Sequence, residues 1–171
     1  AFMGGRVALS AAIYALNLQP GDEVILPGYT CVVVPNAFRF AGVQTVFSDI
    51  ELATYGLDAD QMKKRMTSRT RAVLLHHLYG LVCRDYDAIL DIAKQHGLAV
   101  IEDCAHATGA SYKGVNVGNR GDIGFYSTEQ SKILNTIQGG IVVTNTPRLA
   151  DRLKEYYMQA NDPQPEFVNS L

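Results

Sequence analysis

The chain has 171 residues, 47% of them apolar, and a net charge of -2, which is enough to bury one α/β core of ordinary size. Charges of both signs are spread along it with no long Lys/Arg run, so the electrostatic footprint of a nucleic-acid or anionic-membrane binder is missing and a neutral-patch partner or a small molecule is expected. No stretch approaches the ~20 apolar residues of a membrane span, the opening residues lack the pattern of a signal peptide, and Cys31, Cys83 and Cys104 form no paired arrangement; a soluble protein in a reducing, cytoplasmic setting is the expectation.

Helical and extended patterns alternate from one end to the other without repeats or linkers, as in one doubly wound α/β layer. A helix is predicted over 6–16, then a turn at Pro20-Gly21-Asp22 and a buried strand at Val24-Ile25-Leu26 closed by Pro27-Gly28. A second helix, entered near Thr30, carries Val33, Ala37 and Phe40 at helical spacing. A strand over 43–47, a capped short helix over 58–66 and a strand over 72–75 follow. Residues 86–96 read as a helix stopped by Gly97, with a buried strand over 99–101 behind it. Extended pieces are predicted near Tyr112 and over 123–126, a strand over 141–144, and an amphipathic helix from Pro147 to about Gln159. Pro163 and Pro165 end the pattern.

Three places carry candidate chemistry. Glu102-Asp103 closes an apolar strand, and ligands of open α/β sheets bind at that carboxyl edge, although acidic residues there also serve as caps of a following helix. His106 lies three residues on; a metal site built from Asp103, His106 and the His76-His77 pair needs a convergence that the spacing does not supply, so no metal is assigned. The polar loop from Ser127 to Gly140 holds Lys132 between two apolar strands, where partial desolvation would turn an ordinary ammonium into an amine nucleophile. Gly4-Gly5-Arg6 opens the first helix, where free N–H groups favour phosphate. A dinucleotide site is excluded, because no G-x-G-x-x-G follows a strand.

In this order the segments resemble the pyridoxal-phosphate (PLP) dependent sugar aminotransferases of the DegT/DnrJ/EryC1/StrS family, fold type I, from about Gly4 to Tyr157. The landmarks are Gly5-Arg6-Val7-Ala8-Leu9, Pro20-Gly21-Asp22-Glu23-Val24-Ile25-Leu26-Pro27, His77-Leu78-Tyr79-Gly80, Ile101-Glu102-Asp103-Cys104-Ala105-His106-Ala107 and Gly121-Asp122-Ile123-Gly124. Most specific is the spacing of Ser127, Lys132 and Gly139: the family has a serine five residues before its Schiff-base lysine and a Gly-Gly pair beginning seven after it.

The resemblance implies a role for each matching position. Lys132 would hold PLP and shuttle the proton between substrate and cofactor carbons. Asp103 would pair with the protonated pyridine nitrogen, and His106 would sit beside the ring's hydroxyl edge. Ser127 and the backbone N–H groups of Gly5 and Arg6 would receive the phosphate. Cys31 falls in the loop that covers the ring, where family members carry a stacking aromatic residue, so stacking is weaker here or comes from Tyr29 or another side chain. Arg6 replaces the usual threonine, either as a charged phosphate donor or pointing to solvent. The implied fold is the large domain of fold type I, a mostly parallel seven-stranded type of sheet flanked by helices. Residues 1–160 would form that PLP-binding domain, incomplete at both ends, and 161–171 an exit segment toward an absent C-terminal small domain. The implied reaction moves an amino group, from glutamate, to a nucleotide-linked keto-sugar, in a homodimer. Two rivals remain: a dehydratase on the same fold, which carries histidine where Lys132 stands, and a non-catalytic PLP-fold regulator or subunit.

Overall fold

Residues 1–159 are described in this computed structural model. In chain order they form α1 (Gly5–Ala15), β1 (Glu23–Pro27), α2 (Val33–Phe40), β2 (Gln44–Ser48), α3 (Ala59–Arg65), β3 (Thr70–His76), α4 (Tyr86–His96), β4 (Ala99–Asp103), β5 (Ser111–Tyr112), β6 (Val115–Asn116), β7 (Ile123–Ser127), β8 (Gly140–Val143) and α5 (Pro147–Met158). The main sheet runs β2-β1-β3-β4-β7-β8; β8 is antiparallel to its neighbour and every other pairing is parallel. β5 and β6 make a separate antiparallel ribbon.

Strands β1 and β3 read as unbroken apolar runs because both faces of the sheet are covered. Val24, Leu26, Ala72 and Leu74 face one core with Leu9, Ala12, Phe38 and Leu149. The alternate residues Ile25, Val73 and Leu75 face a second core with Met62, Tyr86 and Ile89. Full burial of each Leu or Ile side chain contributes roughly 1.5–3 kcal/mol. Helix ends follow local chemistry. The Asp58 side chain accepts from the Gln61 N–H at 2.9 Å to cap α3, and Gly97, at φ 65, ends α4 in the left-handed region.

One expectation needs correction, in α2. The mostly parallel sheet flanked by helices is as expected, and the described residues supply six strands of the incomplete seven-stranded type. Beside β8, Phe2 makes a single antiparallel bridge, exchanging bonds of 2.7 and 2.8 Å with Gly140. In α2 the buried face is Val34, Ala37 and Phe38, whereas Phe40 is 89% exposed. Apolar residues at 33, 34, 37, 38 and 40 fit two adjacent helix faces, and packing against the core selects the one with Val34, Ala37 and Phe38. The exit segment expected over 161–171 lies outside the described residues.

Candidate active site

Parallel register puts His76, Asp103 and Phe125 in one row at the carboxyl ends of β3, β4 and β7, with side chains on the same face. The start of α1 and the loop between β7 and β8 close over that row. Between them is a cavity of about 510 Å³, lined by Gly5, Arg6, Cys31, Asp103, His106, Ser127 and Lys132. All the predicted site residues are thus brought together.

Asp103 is nearly buried, and its Oδ1 accepts from the Ala105 N–H at 3.0 Å. No donor among the described residues meets Oδ2, which is left to the cavity. Burial pushes the carboxyl up to about 6, against the pull of the Ala105 N–H and the nearby Lys132 charge. No helix follows β4, so the helix-cap reading of Asp103 fails; the chain enters a turn instead.

Glu102 points to the opposite face and has a different task. Its carboxylate accepts from His77 Nε2 (3.1 Å), from the N–H groups of Gly118 (2.7 Å), Arg120 (2.9 Å) and Gly121 (2.5 Å), and from the Tyr86 hydroxyl. The Cys83 N–H donates to His77 Nδ1 at 3.3 Å, so the proton on Nε2 is the one given to Glu102. Burial opposes ionisation, but these donors outweigh it and hold Glu102 at about 2. His77, Glu102 and Cys104 bring ligand-type atoms within 4.8 Å of one another, yet the Glu102 oxygens are already saturated by this network. Of the four residues weighed from the sequence, only His77 belongs to this cluster; Asp103, His106 and His76 do not.

At the other end of the cavity, α1 begins without a side-chain cap, behind an extended Gly4. Its first N–H groups are therefore free to meet an anion. A Cβ on Gly5 would lie 2.9 Å from Ser127 Cβ, so only glycine lets the helix start sit against the Ser127 hydroxyl. Gly140 is held close to the backbone of Gly4 and Gly5, and Gly139 lies against the Thr128 and Thr136 hydroxyls, so neither leaves room for a Cβ.

The loop that carries Lys132 is braced by its own backbone: Thr128 N–H to Gly139 O (2.9 Å), Gln130 N–H to Ile137 O (3.0 Å) and Lys132 N–H to Glu129 O (2.8 Å). Lys132 is half-buried, and its charge reaches both Asp103 and His106. Burial, and then that charge, lower the His106 pKa. Arg6 and Cys31 are exposed side chains at the cavity wall. Tyr29 does not line the cavity, because its ring packs on Tyr55 and its hydroxyl meets that of Tyr79 at 3.0 Å.

Sequence reasoning missed the grouping of Tyr29, Tyr55 and Tyr79, and the tie from His76 Nε2 to the Tyr55 carbonyl at 2.8 Å. The available signal is the pair of dipeptides Tyr55-Gly56 and Tyr79-Gly80, each a tyrosine in a turn.

The sequence model of the DegT/DnrJ/EryC1/StrS aminotransferase family matches residues 1–169. The chain is 39% identical over 163 residues to the GDP-perosamine synthase of Caulobacter vibrioides, covering 95% of this chain and 44% of that protein. It is 41% identical over 151 residues to the UDP-N-acetyl-3-dehydro-alpha-D-glucosamine 3-aminotransferase of Acidithiobacillus ferrooxidans, covering 88% and 41%. An aminotransferase structure from Psychrobacter cryohalolentis aligns with a TM-score of 0.87 at 36% identity, over 95% of this chain and 43% of that one. The chain spans less than half the length of these relatives. With nearly its whole sequence matched, the chain belongs to the DegT/DnrJ/EryC1/StrS aminotransferase family.

Proposed function

We propose that the full-length protein is a PLP-dependent aminotransferase that moves an amino group from glutamate to a nucleotide-linked keto-sugar. The family's aminotransferases are PLP enzymes. One observation carries the reading for this chain: a single cavity holds an amine, a buried carboxylate with a free oxygen, and an uncapped helix start against a serine. Those groups fit the three ends of PLP. Asp103 Oδ2 is free to accept the pyridinium N–H, and a cation there relieves the cost that burial imposes on its charge. Ser127 and the N–H groups of Gly5 and Arg6 suit the phosphate, and the Arg6 guanidinium adds a charge-assisted donor. His106 serves the ring's hydroxyl edge. Cys31 would cover the ring's open face without a ring of its own to stack, leaving that hold weaker or to another side chain.

Bound PLP supplies an electron sink for the carbanion made at the substrate carbon. Asp103 keeps the pyridine nitrogen protonated. Lys132 would hold the cofactor through its amine and, once free, would be the group placed to carry a proton between substrate and cofactor carbons. Its presence favours amination over the dehydratase alternative.

Exposed Ile133, Leu134 and Ile137 beside Lys132 support a homodimer in which a second subunit covers the loop. A monomer that stays active at micromolar concentration in sedimentation would contradict that part. No helix among the described residues is long and apolar enough to cross a membrane. A cytoplasmic site of action, and an amino-sugar product used in polysaccharide assembly, complete the proposal. The test is direct. Glutamate added to the PLP-loaded full-length protein should convert the cofactor to its amine form with release of one 2-oxoglutarate per subunit. A protein that binds PLP but exchanges no amino group is the non-catalytic alternative.

A further inference from the structure

Tyr29, Tyr55 and Tyr79 lie beside the cavity without lining it, next to residues that do. Tyr29 precedes Thr30 and Cys31, and Tyr79 follows Leu78, three residues that line the cavity. The Tyr79 ring stacks on cavity-lining His106, with centroids 5.8 Å and planes 26° apart. Tyr29 meets Tyr55 at 5.9 Å and 52°, and Tyr55 meets Tyr79 at 6.2 Å and 86°. The rings therefore form a corner with two walls rather than a stack. They leave 50, 39 and 60% of Tyr29, Tyr55 and Tyr79 exposed, so packing of the core does not account for them.

The corner is held by its backbone. Tyr55 and Tyr79 sit at φ 59 and 56, a region that bulky residues rarely adopt and that persists only where the surroundings enforce it. His76 donates to the Tyr55 carbonyl, and the N–H groups of Ala53, Thr54 and Gly56 donate to the buried Glu51 carboxylate. Gly56 lies so near Cys83 that a Cβ there would come within 2.6 Å of its Sγ. The hydroxyls of Tyr29 and Tyr79 then join the walls at 3.0 Å.

The chemistry of the corner narrows its ligand. Aromatic faces and phenol hydroxyls are offered, with no cation among the three side chains to hold a phosphate. A hexose suits this, because its C–H face lies against an aromatic ring while its hydroxyls reach phenol oxygens. A nucleobase also stacks on tyrosine, but Tyr79 touches His106, three residues from Asp103, so the corner adjoins the reacting end of the cavity.

We propose that Tyr29, Tyr55 and Tyr79 form the subsite that receives the hexose ring of the substrate; this rests on the nucleotide-sugar reading above. The experiment uses full-length protein carrying the amine form of its cofactor. It is titrated by calorimetry with UDP-N-acetylglucosamine, GDP-mannose and dTDP-glucose, and with UDP, GDP and dTDP alone. Tyr29→Leu and Tyr79→Leu should each weaken the tightest nucleotide-hexose about tenfold and the matching nucleoside diphosphate less than about twofold. Tyr79→Phe, which keeps the wall, should stay within about threefold of wild type. Cofactor absorbance and melting temperature check that the variants fold. Equal losses for nucleotide-hexose and nucleoside diphosphate would assign the corner to the base and overturn the proposal, as would unchanged affinity for both. If the wild-type protein itself binds none of the three nucleotide-hexoses, the nucleotide-sugar reading fails first, and that result is distinct from any outcome in the variants.

Discussion

Replacing Asp103 with Asn separates a binding role from a packing role, because the buried carboxyl costs the empty fold stability that only a cation repays. Its pKa rises from 3.8 to about 6 in the fold, chiefly through burial. An acid whose folded pKa lies above its unfolded one imposes no penalty below about pH 4, where it is neutral in both states. Stability falls as pH rises from there through 6, and the loss is complete above that. About two pKa units correspond to roughly 3 kcal/mol. Asn is nearly isosteric with the protonated acid and cannot ionise. The stability difference between cofactor-free Asp103→Asn and wild type should therefore shift in favour of the variant by roughly 3 kcal/mol between pH 4 and pH 8. With PLP the order should reverse, since the pyridinium N–H meets a carboxylate only in wild type. The assay is thermal unfolding of both full-length proteins across pH, with and without PLP. A difference independent of pH, or unaffected by PLP, would refute the reasoning and return Asp103 to a turn-forming residue.

Glu102→Gln should behave in the opposite sense. Its folded pKa of about 2 lies below the ordinary 4.5, so its stability is present above pH 4.5 and lost as pH falls toward 2. Disrupting this buried network should cost roughly 3 kcal/mol at pH 7, read from the denaturation midpoint. Gly5→Ala forces Ser127 away from the helix start, and loss of one charged hydrogen bond should weaken PLP about tenfold in equilibrium dialysis. Arg6→Thr should weaken PLP roughly tenfold at low salt and match wild type near ~1 M salt, where an exposed charge is screened; equal salt dependence in both proteins would place the guanidinium in solvent without a role.

The buried strands were legible because residues 24–26 and 72–75 are apolar without a break, and the ends of α3 and α4 because Asp58 and Gly97 act within their own turns. The residues gathered at the cavity were expected through the resemblance, whose most specific part is the fixed intervals of Ser127, Lys132 and Gly139 along one loop. What stayed hidden depends on distant chain segments. The phase of α2 was ambiguous because two helix faces are apolar. The partners of Glu102 come from positions 77, 86, 118, 120 and 121, which no local pattern joins. The β5–β6 ribbon has only two residues per strand, too few for a period. The tyrosine corner needs three turns to meet, two of them through left-handed tyrosines that propensity alone disfavours.

The central claim is that this cavity binds PLP covalently through Lys132. Borohydride reduction of the PLP-loaded full-length protein, followed by mass mapping, tests it most directly. The pyridoxyl group should be found on Lys132 and not on Lys63, Lys64, Lys94, Lys113 or Lys154, none of which lines the cavity. Lys132→Ala should abolish the label while Ser127, Gly5 and Asp103 still permit noncovalent binding. A label mainly on another lysine, or a folded full-length protein that takes up no PLP, would contradict the account.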